Sequence, residues 1–154
     1  MIEVPQAAID LAKRFEGFCR VPESDPDRAY PYVCPAGFWT IGYGHLCDAK
    51  HLPITMEEGE DYLAADMADA LRATLRFCPV LATEPVGRLA AIVDFTFNLG
   101  AGRLQASTLR RRVNQRDWVG AAKELRRWVY GGGRVLPGLV FRRGAEVVLL
   151  VDCP

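Results

Sequence analysis

Metal-binding side chains are scarce and scattered in this 154-residue chain. It has two histidines, His45 and His51, and five cysteines, Cys19, Cys34, Cys47, Cys78 and Cys153, with no Cys-x-x-Cys pair. An odd cysteine count without close pairs excludes a disulfide framework and a zinc ribbon. Reduced thiols in a cytosolic protein are the simplest expectation. Neither a metal nor a cofactor is expected. Long hydrophobic runs are also missing. No stretch approaches the roughly 18 apolar residues that a membrane span needs. The first fifteen residues carry Glu3, Asp10, Lys13 and Arg14 and have no apolar targeting core. There is no internal repeat and no low-complexity tract, so a single compact unit over 1–154 is expected.

Net charge is absent too, with 19 basic and 19 acidic residues, but the balance is uneven along the chain. Residues 1–100 carry 8 Lys and Arg against 15 Asp and Glu, whereas residues 101–154 carry 11 against 4. The basic part includes Arg110, Arg111, Arg112, Arg126, Arg127, Arg134, Arg142 and Arg143. Such a cluster reads either as a cationic face for a polyanion, a wall polymer or nucleic acid, or as solvated helix faces paired with the acidic half. No aromatic–basic interleaving of the single-strand-binding kind accompanies it.

The hydrophobic pattern then sets the elements. Ala8, Leu11, Ala12 and Phe15 fall on one face of a short helix over 5–15, opened by Pro5 and closed by Gly17. Residues 21–28, with two prolines and no periodicity, read as a surface loop. From Ala29 to Leu46, β-branched and aromatic residues are punctuated by Pro35, Gly37, Gly42 and Gly44, the pattern of short antiparallel strands joined by tight turns. Thr55 followed by Glu58 is a capping box, and Leu63, Met67, Leu71 and Leu75 carry one helix from about Met56 to near Phe77. Further helices are predicted at about 84–98, 107–114, 117–128 and 138–150, with Gly131–Gly133 as a loop. The fold class is α+β.

Glu16 sits at the end of the first helix, between Phe15 and Phe18. The negative end of the helix dipole and an apolar wall would both favour its protonated form, as a general acid requires. Taken alone, the local pattern fits an ordinary exposed helix-end glutamate better. The densest signal lies downstream, in Cys34-Pro-Ala-Gly-Phe-Trp-Thr40-Ile-Gly-Tyr-Gly-His45. This stretch resembles the phage-type lysozymes, the endolysins of glycoside hydrolase family 24. Their signature is a Glu, eight residues, Asp or Cys, five residues, then Thr opening a Thr-Ile-Gly-Tyr-Gly-His segment. Phe97–Gly100, Ser107–Leu109, Trp118–Trp128, the glycine loop and Pro137–Arg143 are similar to the same family. The resemblance spans roughly residues 5–150.

One departure stands out. Seventeen residues separate Glu16 from Cys34, where the family has eight, which fits an insertion around 21–29. Asp25 lies eight residues after Glu16 and is a rival, but five residues beyond it the next position is Pro31 instead of Thr. The downstream spacing favours Cys34.

The resemblance implies a lysozyme-like fold, with a sheet lobe (about 17–54) joined by the long helix to a helical lobe (about 78–154 plus the first helix). It also implies a muramidase that cuts the β-1,4 bond between N-acetylmuramic acid and N-acetylglucosamine in peptidoglycan. Glu16 would be the acid, with Cys34 and Thr40 holding the water. An inverting glycosidase needs its acid and its water-activating group about 6.5–9.5 Å apart, on opposite faces of the sugar. Matching the family pairs His45 with Asp66. Asn98 is expected to secure buried backbone through its amide, and Trp39, Trp118 and Trp128 to pack in the core. A family endolysin of this kind is a monomer that waits in the host cytoplasm until a separate holin breaches the membrane. Nucleic-acid binding and membrane insertion are not expected. A catalytically silent wall-binding module of the same fold, or a basic nucleic-acid-binding protein, are the competing classes.

Overall fold

The computed structural model describes residues 1–152; Cys153 lies outside the described residues. The chain runs through helix α1 (Gln6–Glu16), strands β1 (Arg28–Ala29), β2 (Tyr32–Val33), β3 (Trp39–Ile41), β4 (His45–Leu46) and β5 (Ile54–Thr55), and the long helix α2 (Met56–Phe77). A 3-10 turn (Pro79–Thr83) leads into α3 (Val86–Leu99), α4 (Ala101–Ala106), α5 (Thr108–Asn114) and α6 (Trp118–Leu125). A hairpin, β6 (Tyr130–Gly131) and β7 (Arg134–Val135), precedes the last helix, α7 (Pro137–Val151). This is an α+β architecture, with two small antiparallel sheets, β1–β5 and β2–β3–β4, at one end of α2 and a larger helical assembly at the other.

Local chemistry accounts for the boundaries. Gly17 ends α1 at φ +68°, and its N–H donates to Lys13 O at 3.0 Å. β2, β3 and β4 form an antiparallel meander in which Tyr32 faces Thr40 and Ile41 faces His45. β1 pairs with β5, so the segment that the spacing identifies as an insertion ends in a strand clamped to the entrance of α2. There the predicted capping box is complete. Glu58 N–H donates to Thr55 Oγ1 at 3.2 Å, and Thr55 N–H donates to Glu58 Oε2 at 2.8 Å. At 1.5 Å per residue, α2 spans about 33 Å.

Two hydrophobic clusters result. The smaller is Ala29, Ile41 and Ile54, with Phe18, Cys47 and Tyr62 against it. The larger is built around α3, whose residues Leu89 to Thr96 are all buried, as expected of a helix surrounded by others. Two buried hydroxyls inside it are satisfied in series: Thr74 Oγ1 donates to Thr96 Oγ1 at 2.8 Å, and Thr96 Oγ1 donates to Ile92 O at 2.7 Å. Phe18 packs against both clusters.

The sequence reading omitted three elements. α4 has six residues and only Leu104 buried, too short to show a period. The 3-10 turn follows from Pro79 at its start. The glycine loop is the turn of a hairpin, with Gly132 and Gly133 both at positive φ, the conformation that a tight two-residue hairpin turn needs. Trp39 also differs from its expected core role. It is exposed on the sheet, whereas Trp118 and Trp128 do pack on the large cluster.

Candidate active site

Glu16 is the last residue of α1. Immediately after it the chain turns and Cys19 N–H donates to Gly42 O, which ties this corner to the end of β3. Gly42 and Gly44 flank the β3–β4 turn at φ +59° and +78°. A Cβ on Gly44 would lie 3.0 Å from Glu16 Oε2, so the glycine opens the space that the carboxylate occupies. Cys19 Sγ donates to Glu16 O at 3.1 Å.

On the facing hairpin, Thr40 is 4 % exposed and its Oγ1 donates to Tyr32 O at 3.3 Å. The Tyr32 phenol is half-buried among Thr40, Cys19 and Glu16. Burial pushes it above its ordinary value, the Thr40 hydroxyl opposes that shift, and Cys19 and the Glu16 charge add to it. The helix end, the glycine turn and the hairpin therefore meet at the Glu16 carboxylate. Cys34 opens the β2–β3 turn, with its N–H donating to Phe38 O at 2.9 Å and its carbonyl accepting from Gly37 at 2.8 Å. Alternation puts it on the Tyr32 side of the hairpin, one step nearer the tip. Its thiol is half-buried, and among the described residues no hydrogen bond joins it to Glu16 or Thr40. Asp25 is engaged elsewhere: its Oδ2 accepts from Tyr30 Oη at 2.8 Å and lies 3.7 Å from Arg28 Nη1.

The apolar wall expected for Glu16 is corrected by the structure. The partner of its carboxylate is the guanidinium of Arg142, Nη1 to Oε1 at 2.6 Å. Arg142 is 3 % exposed and forks onto Asp94, Nε to Oδ2 at 2.9 Å and Nη2 to Oδ1 at 2.8 Å. Burial opposes its charge, but Asp94 and Glu16 outweigh that and hold its proton more firmly. Arg142 and Arg143 are thus neither solvated nor part of a cationic face; both lie inside the helical assembly. Asn98 also differs from its expected role, since its Oδ1 accepts from Arg143 Nη2 at 2.6 Å instead of tying down backbone. His45 pairs with Asp66 as expected, Nδ1 to Oδ2 at 2.8 Å, and stacks on Tyr62 with ring centroids 4.3 Å apart. The pattern reading missed Arg142, Asp94, Tyr32 and Gly44 as site residues. Arg142 and Gly44 lay in segments already singled out, but nothing in a single sequence aimed them at Glu16.

A helix-end glutamate held by a buried arginine against a glycine turn and a Thr-bearing hairpin is the arrangement to compare with known proteins. Residues 13–146 match the family described as phage lysozyme. The chain belongs to the phage lysozyme family. It is similar to an endolysin of Acyrthosiphon pisum secondary endosymbiont phage 1, at 33 % identity over 96 % of this chain and 97 % of that protein. It is also similar to an endolysin of Bacillus phage B103, at 33 % identity over 97 % of this chain. The chain spans about half of that relative, 54 % of its length. Among solved structures, the muramidase domain of SpmX from Asticaccaulis excentricus superposes with a TM-score of 0.79 at 27 % identity, covering 98 % of this chain and 99 % of that one. In this member of the family the candidate site lies where the first helix meets the β3–β4 turn.

Proposed function

We propose that this protein is an endolysin-type muramidase. It hydrolyses the β-1,4 bond between N-acetylmuramic acid and N-acetylglucosamine with inversion at the anomeric carbon. The observation that carries this reading is the placement of Glu16, 24 % exposed at a helix end, gripped by Arg142 and facing the Tyr32–Thr40 hairpin across Gly44. Glu16 delivers a proton to the leaving glycosidic oxygen. Thr40, with its hydroxyl proton committed to Tyr32 O, has lone pairs free to accept from a water, and Cys34 assists on the same side of the hairpin. That water attacks the opposite face of the sugar, its surplus proton passes to solvent, and Glu16 takes a proton back from solvent.

No helix of the described residues is long and apolar enough to cross a membrane. On our reading the protein is a monomer made in the host cytoplasm, and it reaches the wall through a separate membrane-permeabilising protein of the holin kind.

The test is Glu16→Gln, which keeps the shape and removes the transferable proton. Lysis of exposed cell walls should fall by about 10²–10⁴-fold with the circular dichroism spectrum unchanged. Mass spectrometry of wild-type digests should show reducing-end muramic acid. A folded Glu16→Gln variant that lyses at near wild-type rate, or anhydro-sugar ends, would sink the reading.

A further inference from the structure

Behind Glu16 lies a buried charge cluster of which the mechanism above uses only the Arg142 contact. α7 carries Arg142, Arg143 and Glu146, and α3 carries Asp94 and Asn98. The side chains of Asp94 and Glu146 are fully buried, Arg143 is 1 % exposed and Arg142 3 %. With Glu16 on α1, three carboxyls meet two guanidiniums. Arg142 is forked onto Asp94 and reaches Glu16 with its remaining Nη1. Arg143 Nη2 lies 3.0 Å from Glu146 Oε1 and donates to Asn98 Oδ1, while its guanidinium covers the Phe95 ring at 5.2 Å. Glu146 is also next to Asp94. Among the described residues, Arg143 Nε and Nη1 and both Glu146 oxygens have no aligned hydrogen-bond partner. The charge of each therefore leans on the other.

A guanidinium does not lose its proton inside a protein. Burial, joined by the neighbouring Asp94 carboxylate, pushes the Glu146 carboxyl up against the pull of Arg143 and Arg142, and burial with the Arg142 charge pushes Arg143 down; but an unpaired buried cation is the costlier outcome. Asp94 is already spent on Arg142, so the carboxylate that Arg143 requires is Glu146. Two complete pairs result, Arg142–Asp94 and Arg143–Glu146, and Glu16 is the third carboxyl, sharing a guanidinium already neutralised by Asp94. Other charged groups do not alter this count. On α1, Lys13 is paired with Glu60. α6, which also packs on α7, turns Ala121, Ala122 and Leu125 inward, with Lys123 exposed and Glu124 paired to Arg127. Among the described residues, the hairpin brings the Tyr32 phenol towards Glu16, and the Cys19 thiol, from the corner after α1, donates to the Glu16 carbonyl.

We propose that Glu146 is a positioning residue for the reaction: as the counter-ion of Arg143 it leaves Glu16 the surplus carboxyl of the cluster, and so keeps the acid's proton in place at the pH of catalysis. The proposal rests on Glu16 being the general acid.

The experiment compares the pH dependence of kcat/KM on solubilised peptidoglycan strands for wild type, Glu146→Gln and Glu146→Asp, with Glu16→Gln as the control. In Glu146→Gln the positive charge on Arg143 is left over and stabilises ionised Glu16. The alkaline limb of activity should then move to lower pH by about one unit. Glu146→Asp keeps the charge and should keep the limb. A Glu146→Gln profile superimposable on wild type overturns the proposal. If Glu16→Gln is inactive at the same time, the acid assignment survives; an active Glu16→Gln ends that assignment instead. Should Glu146→Gln fail to fold, the ¹³C resonance of the Glu146 carboxyl in the wild-type protein decides. A carboxylate shift at pH 6 supports the proposal, and a carboxylic-acid shift overturns it.

Discussion

At the residue scale, Cys34 carries the least conventional chemistry. Its place at the mouth of the β2–β3 turn, on the Tyr32 side, suits a group that orients water beside Thr40. A thiol sulfur is a weak hydrogen-bond acceptor. A carboxylate there would accept the same hydrogen bond more strongly. Cys34→Asp should therefore keep substantial activity, while Cys34→Ala should lose about 10²-fold in kcat, both judged on variants shown to fold. Alanine outperforming aspartate would mean that the thiol only packs. Two of the proposed site residues were visible in the sequence for physical reasons. Glu16 stands beside a helix-ending glycine, and Thr40 lies in a short strand that turn glycines bring to an end. Arg142 and Asp94 were hidden because their roles arise from burial. An Arg-Arg pair on a helix looks solvent-facing until α3 is packed over it, and α3 shows only an apolar run with one aspartate inside.

At the scale of elements, the long helix and its cap were readable because the capping box and the Leu63–Leu75 spacing are local. Joints between helices were not, since they depend on side chains distant in sequence. Glu84, just before α3, is such a joint. Its Oε2 takes Arg88 Nη1 at 2.6 Å within the same turn, and its Oε1 takes Arg116 Nε at 2.7 Å from the α5–α6 corner, where Arg116 sits at φ +55°. The Arg116 hydrogen bond, reinforced by Arg88 against some burial, holds the Glu84 carboxyl below the usual carboxylate range. A depressed folded value means that the folded state binds fewer protons than the unfolded chain. The stabilisation is thus complete above the unfolded value of about 4.3 and is lost as pH falls through the folded one. Glu84→Gln should melt about 2 °C lower than wild type at pH 7, and the gap should close as pH falls through the depressed folded value of Glu84. A gap that persists at acid pH would assign the loss to packing instead of charge.

At the scale of the whole molecule, many basic side chains of the C-terminal part are consumed in holding it together, Arg116 and Arg142 by carboxylates of the acidic part and others by neighbours within their own part. Of the arginines that suggested a cationic face, Arg142 and Arg143 are buried in the cluster behind Glu16. Arg110 caps carbonyls, donating to Phe77 O at 3.2 Å and Gln105 O at 3.2 Å. Arg112 pairs with Asp117, and Arg127 pairs with Glu124. Arg111 reaches only Thr108, so Arg111, Arg126 and Arg134 are what remains exposed of that set without a carboxylate partner among the described residues. With Arg103 and Lys123, which are also exposed without a carboxylate partner among the described residues, five such charges spread from α4 to the β6–β7 hairpin release few counterions on meeting a polyanion. The salt slope of binding scales with the number of phosphates neutralised, and proteins with real non-specific DNA affinity hold Kd near 10⁻⁴–10⁻⁶ M at physiological salt. Fluorescence anisotropy with a duplex oligonucleotide at 150 mM salt should give a Kd weaker than about 10⁻⁴ M, while wall lysis proceeds under the same conditions. Micromolar DNA binding with a steep salt slope would restore the nucleic-acid reading of the basic half, and would require the pairs Arg112–Asp117 and Arg127–Glu124 to open in solution.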